Sequence, residues 1–285
     1  MSRCEPGCLV SFASSREWYP VGEYVALDAQ AVIDRAIEVF GTASDYRAEE
    51  IPARTRSLQV VLVAGKKDHG LGEHDYPARL KTWEKLLGMA SDIEVSTVMD
   101  WPSPQNLKTA DVLVFYQQGK WTPERAKDID AFLARGGGLV YIHYAVDGGA
   151  DAPGFAQRIG LAWKGGTSLF RHGPLEVDFQ AGRKHPVARN FDKVRFYDES
   201  YWRLVGDPNR VTLLASGKEG GEDQPLFWAL EPAKGRVFVS IPGHFAWTFD
   251  DPLFRVLLLR GIAWAAMEPV DRFNDLVVPG ARIKD

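Results

Sequence analysis

From Leu58 onward the chain alternates short apolar runs with amphipathic segments, and this alternation restricts its possible folds more than any single motif. The runs "LQVVLVA" (Leu58 to Ala64), "IEVSTV" (Ile93 to Val98), "ADVLVFY" (Ala110 to Tyr116), "LVYI" (Leu139 to Ile142) and "GRVFVSI" (Gly235 to Ile241) read as strands. "ADVLVFY" is apolar at almost every position, as a strand covered on both faces requires. Helical segments lie between them. One carries Pro77 in its first turn and sets Leu80, Trp83, Leu86 and Leu87 on one face. A second is capped by Thr122, begins at Pro123, turns Ile129, Phe132 and Leu133 inward and ends in "RGGG" (Arg135 to Gly138). A third, Asp250 to Ala266, opens on Asp and Pro and buries Leu253, Val256, Leu257, Trp264 and the stem of Arg260. Strands and helices at this spacing predict an α/β fold with a mostly parallel sheet and helices on both faces. Residues 165–230 carry shorter runs, "LEVDF", "VRFYDESYWRLV", "VTLLA" and "PLFWAL", that predict an antiparallel insertion or edge.

The flanks read differently. Residues 1–57 form an extension with one amphipathic helix, in which Val32, Ile33, Ala36, Ile37 and Phe40 recur at helical spacing before Gly41. The polar stretch Arg47 to Ser57 reads as a linker, residues 58–268 as the main domain and residues 269–285 as a tail. The only cysteines are Cys4 and Cys8, so the main domain has neither a disulfide framework nor a cysteine nucleophile. A net charge of −4 without a basic stripe argues against a nucleic-acid partner. No apolar run reaches the roughly 20 residues of a membrane span, and the start lacks an apolar signal core. The expected location is cytoplasmic, or periplasmic if the start has been trimmed. There is no G-x-S-x-G elbow and no P-loop, and "GLGEHD" lacks the third glycine of a dinucleotide fingerprint, so neither NAD nor ATP is expected.

Parallel sheets bind ligands beyond the carboxyl ends of their strands. His69 and His74 follow the first strand, Gln117, Gln118 and Trp121 the third, His143 the fourth and His244 "GRVFVSI", so four of the six histidines fall on one rim. Imidazoles with a carboxylate suit a divalent metal, and equally suit metal-free acid–base work near neutral pH. Spacing does not choose between them. His185, before Pro186, reads as a turn residue. His172 reads equally as a backbone cap or a site group. Asp198 and Glu199 in "YDESYW" have the plain reading of a solvated pair on a strand, which Asp198 fits better. For Trp121, Tyr144, Tyr201, Trp202, Phe245 and Trp247 the ordinary fate is core, although a ring at a cleft can also stack on a sugar.

The pieces "VVLVAG", "HGLGEHDYP", "TADVLVFY", "GGGLVYIH", "FRHGP", "HPVARNF", "DESYW" and "GRVFVSIPGHFAW…DDPLFRVLLLRGIAWA" occur in order. Through them the chain resembles the ThuA-like (trehalose utilisation) family from Leu58 to about Glu268. The resemblance implies a three-layer fold, class I glutamine amidotransferase-like or flavodoxin-like. It carries the family's site residues to His74 with Asp75, His143, His172, Glu199 and His244, with His69 belonging to a longer form. His143 stands where amidotransferases keep their cysteine, which implies loss of that chemistry. The implied role is in sugar catabolism, including 3-keto-glycosides. The leading expectation is a carbohydrate enzyme (hydrolase, lyase or isomerase) with His143, Glu199 and His244 catalytic. His69, His74, Gln117, Trp121, His172, Tyr201 and Trp247 would bind substrate, and His143, His172, Glu199 and His244 would hold any zinc, manganese or iron. The alternative is a non-catalytic carbohydrate-binding module, and the plainest reading is a structural protein whose histidines are satisfied caps.

Overall fold

In the computed structural model, which describes residues 56–119 and 121–277, nine strands join in one mixed sheet. Its first part is parallel: β1 (Leu58–Ala64) lies between β2 (Ile93–Met99) and β3 (Val112–Tyr116), followed by β4 (Gly138–Ile142) and β11 (Arg236–Ser240). The second part is antiparallel: β10 (Glu222–Leu230), β9 (Thr212–Glu219), β6 (Leu169–Asp178) and β7 (Lys193–Trp202). The expected antiparallel piece is thus half of the same sheet, continuing it from β11. The sheet is mixed rather than mostly parallel. β5 (Leu161–Ala162) and β8 (Val205–Gly206) pair separately.

The expected helices form where their caps place them. α1 (Tyr76–Leu87) begins with Pro77 and buries Leu80, Trp83, Leu86 and Leu87. Two short helices not expected from the sequence follow β2 and β4: α2 (Pro104–Thr109), capped by Ser103, and α4 (Ala152–Ile159). α3 (Pro123–Ala134) is capped by the Thr122 hydroxyl, which accepts from the Arg125 amide at 3.4 Å. α5 (Pro252–Ala265) is capped by Asp251, which accepts from the Leu253 amide at 2.8 Å, and it is buried along its whole length. Residues 270–276 pack along it. Arg260 is therefore buried through its head as well as its stem: its guanidinium donates to Asp271 at 3.2 Å and to the Arg189 carbonyl at 2.7 Å. No helix among the described residues is long and apolar enough to cross a membrane. The expected helix at Val32–Phe40 and both cysteines lie outside the described residues.

β1, β3, β4 and β11 are almost wholly buried, β2 only partly. Two relationships then set up the site. β4 and β11 are parallel neighbours with Ile142 opposite Ser240, so the chain leaves both at the same level of the rim. β6 pairs with β9 in register at a single position, Asp178 opposite Ser216, while β7 also touches β10. The β6–β7 pair thereby brings its own register partners, His172 and Glu199, to the carboxyl ends of β4 and β11.

Candidate metal centre

His143 is the residue immediately after β4, and its φ of 55° turns the chain sharply out of the strand. Few non-glycine residues adopt this left-handed region, and where they do a functional constraint is a common reason. The turn sends the imidazole back across the end of β11, where Nδ1 donates to the Ile241 carbonyl at 2.8 Å. A carbonyl can only accept, so Nδ1 holds the proton and Nε2 of the neutral ring presents a lone pair to the interior.

His74 arrives from the loop after β1 and is also left-handed, with φ 42°. Its Nδ1 faces Asp68 Oδ1 at 2.8 Å, and the Tyr76 hydroxyl donates to Asp68 Oδ2 at 3.2 Å. The carboxylate draws the proton to Nδ1, so Nε2 again carries the inward lone pair. The two Nε2 atoms lie 2.9 Å apart. Burial pushes the His74 pKa far down, and the neighbouring His143, His244 and His69 push it further.

His244 follows Gly243, whose φ of 140° and tight surroundings call for glycine: a Cβ there would lie 2.8 Å from Ile142 Cγ2 and 3.2 Å from His143 Cβ. His244 Nδ1 lies 3.2 Å from His143 Nε2 and 3.1 Å from Glu199 Oε2. Its Nε2 is buried without a hydrogen bond and points at Glu73 Oε1, 3.9 Å away. Burial alone would lower its pKa, but Glu199 and, more distantly, Glu73 raise it to about 9. At 3.1 Å Glu199 is the partner that matters.

Glu199 completes the group. Oε2 lies 3.0 Å from His143 Nε2 and Oε1 3.0 Å from His172 Nε2. Burial pushes its pKa up, but the imidazoles of His143, His172 and His244 beside it outweigh this and hold it well below the usual carboxylate range. The Tyr201 hydroxyl donates to His143 Nε2 at 3.0 Å, and its ring stacks on His143. Burial first, then Glu199, pushes the Tyr201 pKa well up, so Tyr201 is a proton donor here.

One nitrogen from each of His74, His143 and His244 and one Glu199 oxygen thus lie within 4.8 Å of one another, all buried. Three imidazole nitrogens and a carboxylate oxygen are a donor set that zinc, manganese or iron(II) accepts. Two inward lone pairs 2.9 Å apart repel unless a proton or cation lies between them. The outer nitrogens of His74 and His143 are held by a carboxylate and a carbonyl, as metal-ligating histidines usually are. The residues fit a divalent ion.

Of the metal set expected from sequence, His143, Glu199 and His244 are in this group. His172 is not: it is partly exposed and binds the other oxygen of Glu199, while His74, expected at the edge as a substrate contact, takes the central place. His69 sits outside, its ring 3.8 Å from that of His74 and its Nδ1 2.8 Å from Asp68 Oδ1. Asp75 precedes α1 without making a side-chain cap. Tyr201 is at the centre, against His143, and the other expected contacts lie elsewhere. Gln117 is buried against Gly65 with its Oε1 unpartnered. Trp121 donates to Asp151 at 3.0 Å and stacks on Phe155. Trp247 is buried, donates to the Tyr197 carbonyl at 3.2 Å and stacks on Phe245, so it supports that ring instead of offering a face to a sugar. His185 is a turn residue as expected, accepting from the Val187 amide.

Asp198 overturns its reading as a solvated residue. It is fully buried, and Oδ1 accepts from the amides of Gly243 (3.0 Å), His244 (2.9 Å) and Glu199 (2.7 Å), while Thr248 donates to Oδ2. The sequence reading also passed over Asp68 and Glu73, although both are acids beside histidines in a glycine-rich loop after a strand. That adjacency was the available signal.

The family described as ThuA, trehalose utilisation, matches residues 60–265 of the chain. Among solved structures, the chain is similar to a ThuA-like protein from Bacteroides uniformis, with a TM-score of 0.61 and 18% identity over 79% of this chain and 98% of that one. It is also similar to a ThuA-like protein from Parabacteroides merdae, with a TM-score of 0.58 and 21% identity over 74% of this chain and 90% of that one. At these identities the likeness speaks for the fold alone. No curated protein matches the sequence.

Proposed function

The chain belongs to the ThuA, trehalose utilisation, family, and from that premise we propose that it is an enzyme acting on a sugar or 3-keto-sugar glycoside at a buried metal-dependent site. The observation that carries the reading is the convergence of His74, His143, Glu199 and His244, with the proton positions on His74 and His143 fixed from outside by Asp68 and Ile241. These four residues would hold the ion. When bound, a divalent ion would polarise a sugar carbonyl or hydroxyl, or activate water.

The chain's own groups have separable tasks in this reading. Tyr201, kept protonated by its surroundings, donates a hydrogen bond to an oxygen that gains charge beside His143. His172, anchored to the outer oxygen of Glu199 and partly exposed, orients the substrate and exchanges a proton with it. His69, its ring 3.8 Å from that of His74, stands at the rim of the site and contacts the substrate there. The left-handed turn of His143 directly after β4 supports the proposal that the layers follow the amidotransferase-like pattern, with an imidazole at the elbow in place of a thiol.

The test is metal analysis of the purified full chain, followed by calorimetric titration with zinc and manganese. Near-stoichiometric uptake, lost in His143→Ala and His74→Ala variants that keep their circular dichroism, supports the reading. Uptake unchanged in both variants would sink it. Turnover of a panel of 3-keto-glucosides then separates an enzyme from a binding module.

A further inference from the structure

We infer that Glu73 is a positioning residue of this centre: its carboxylate accepts the outer N–H of His244 and so keeps Nδ1 of that ring turned inward as a metal ligand. This rests on the metal reading above and adds to it the outer acceptor that the third imidazole lacks. The other two rings have theirs. Asp68 Oδ1 lies 2.8 Å from His74 Nδ1, and the Ile241 carbonyl lies 2.8 Å from His143 Nδ1. His244 is turned the opposite way. Its Nδ1 faces His143 and Glu199, so its outer nitrogen is Nε2, which is buried and makes no hydrogen bond.

A neutral ring that offers the lone pair of Nδ1 keeps its one proton on Nε2. A buried N–H without an acceptor is unfavourable, and metal-ligating histidines almost always direct theirs to a carboxylate, a carbonyl or water. The group facing Nε2 is Glu73 Oε1, 3.9 Å away. That is about 1 Å beyond an ordinary N–H···O bond. Side-chain torsions alone can close this gap, because the two backbones are already fixed to each other. The His74 amide donates to the His244 carbonyl at 3.0 Å, and the Ala246 amide donates to the Gly72 carbonyl at 2.8 Å. Glu73 itself stands opposite Phe245 in an antiparallel bridge.

The Glu73 side chain is 24% exposed, so it has room to turn. Glu199 cannot serve in its place, since its two oxygens are engaged by His143 and His244 on one side and His172 on the other. The loop between β1 and α1 thus supplies one donor, His74, and two of the three outer acceptors, Asp68 and Glu73.

The experiment uses the full chain labelled with nitrogen-15 at histidine and loaded with zinc, as the unmodified protein and as its Glu73→Ala and Glu73→Gln variants. Two-bond proton–nitrogen correlation spectra read which nitrogen of each ring is protonated. His244 identifies itself there as the ring with zinc on Nδ1, since His74 and His143 present Nε2. Competition with a chromogenic chelator reads zinc affinity. We expect a slowly exchanging Nε2 proton on His244 in the unmodified chain. In Glu73→Ala that proton should exchange too fast to be seen, and zinc affinity should fall about 10–100-fold, as for other outer-shell losses. Glutamine keeps an acceptor oxygen of the same reach, so Glu73→Gln should retain the proton signal and lose less affinity than Glu73→Ala. Unchanged affinity and an unchanged Nε2 proton in Glu73→Ala overturn the inference and leave the metal reading standing. Equal losses in both variants, with the Nε2 proton still protected, would show that Glu73 acts only as a nearby charge and likewise overturn it. An unmodified chain that takes up no zinc overturns the metal reading and this inference with it.

Discussion

His143 Nε2 lies 2.9 Å from His74 Nε2, and neither neutral ring can donate to the other, because the Ile241 carbonyl and the Asp68 carboxylate hold both protons on the far nitrogens. The tautomer of His74 is therefore set by Asp68, a residue that lies outside the four donors. Asp68→Asn keeps the shape but replaces a charged acceptor with an amide that can turn its NH₂ toward the ring. Outer-shell changes of this type typically cost about 10–100-fold in metal affinity. We expect that loss for zinc, read by competition with a chromogenic chelator. Undiminished affinity would show that Asp68 does not set the tautomer.

Gly243 tests how far the centre depends on the backbone that delivers it. An alanine there must adopt φ near 140° and press on both Ile142 and His143. The strain is worth about 1–3 kcal/mol of stability, and because the contact falls on His143, zinc affinity should fall as well. Gly221, in the β9–β10 turn, is the control: its φ is 87°, but a Cβ there meets nothing within 4 Å. Gly221→Ala should lower the urea midpoint while leaving zinc affinity alone. Equal zinc affinity in both variants would count against the backbone argument.

What was legible in the sequence follows from what sets each position. The strands declared themselves because β1, β3, β4 and β11 are buried on both faces and must be apolar throughout. His143 and His244 were legible because they come just after two of those strands. The central place of His74 was not, since it depends on the path of an eleven-residue loop, residues 65–75, and on Asp68 at its start. Asp198 was misread for a different reason. "YDESYW" looks half-solvated by composition, yet β7 is buried continuously from Phe196 to Tyr201. The donors that make burial of Asp198 tolerable are the amides of Gly243 and His244, 45 and 46 positions along the chain.

That arrangement yields an ordering of stabilities. Asp198→Ala leaves two buried amides of the His244 turn and the Thr248 hydroxyl without their acceptor, and hydrogen bonds to a charged group contribute about 1.5–3 kcal/mol each. We expect a loss of about 3 kcal/mol or more. Thr248→Val removes one of four donors and leaves the carboxylate three, so its cost should be about 1–2 kcal/mol. Urea denaturation of the two variants checks this. A Thr248→Val loss as large as that of Asp198→Ala would show that the hydroxyl, not the backbone amides, is what Asp198 needs.

His185 makes a prediction about acid sensitivity away from the centre. Burial, with help from Arg236, lowers its folded pKa from 6.5 to about 4. As pH falls below 6.5 the unfolded chain takes up a proton that the folded chain refuses until pH 4. Stability associated with this residue is thus complete above pH 6.5 and declines as pH falls toward 4, after which it falls no further. Nδ1 must also stay unprotonated to accept from the Val187 amide at 3.3 Å and cap the turn that begins at Pro186. Asparagine can make the same cap through its side-chain oxygen and does not titrate in this range. His185→Asn should therefore match the parent chain within about 1 kcal/mol at pH 7.5, since the cap is kept, and lose less melting temperature between pH 7.5 and pH 5. The remaining histidines are common to both chains, so the difference between the two pH profiles isolates His185. Parallel profiles would mean that the His185 ring takes up its proton in the folded chain as readily as in the unfolded one.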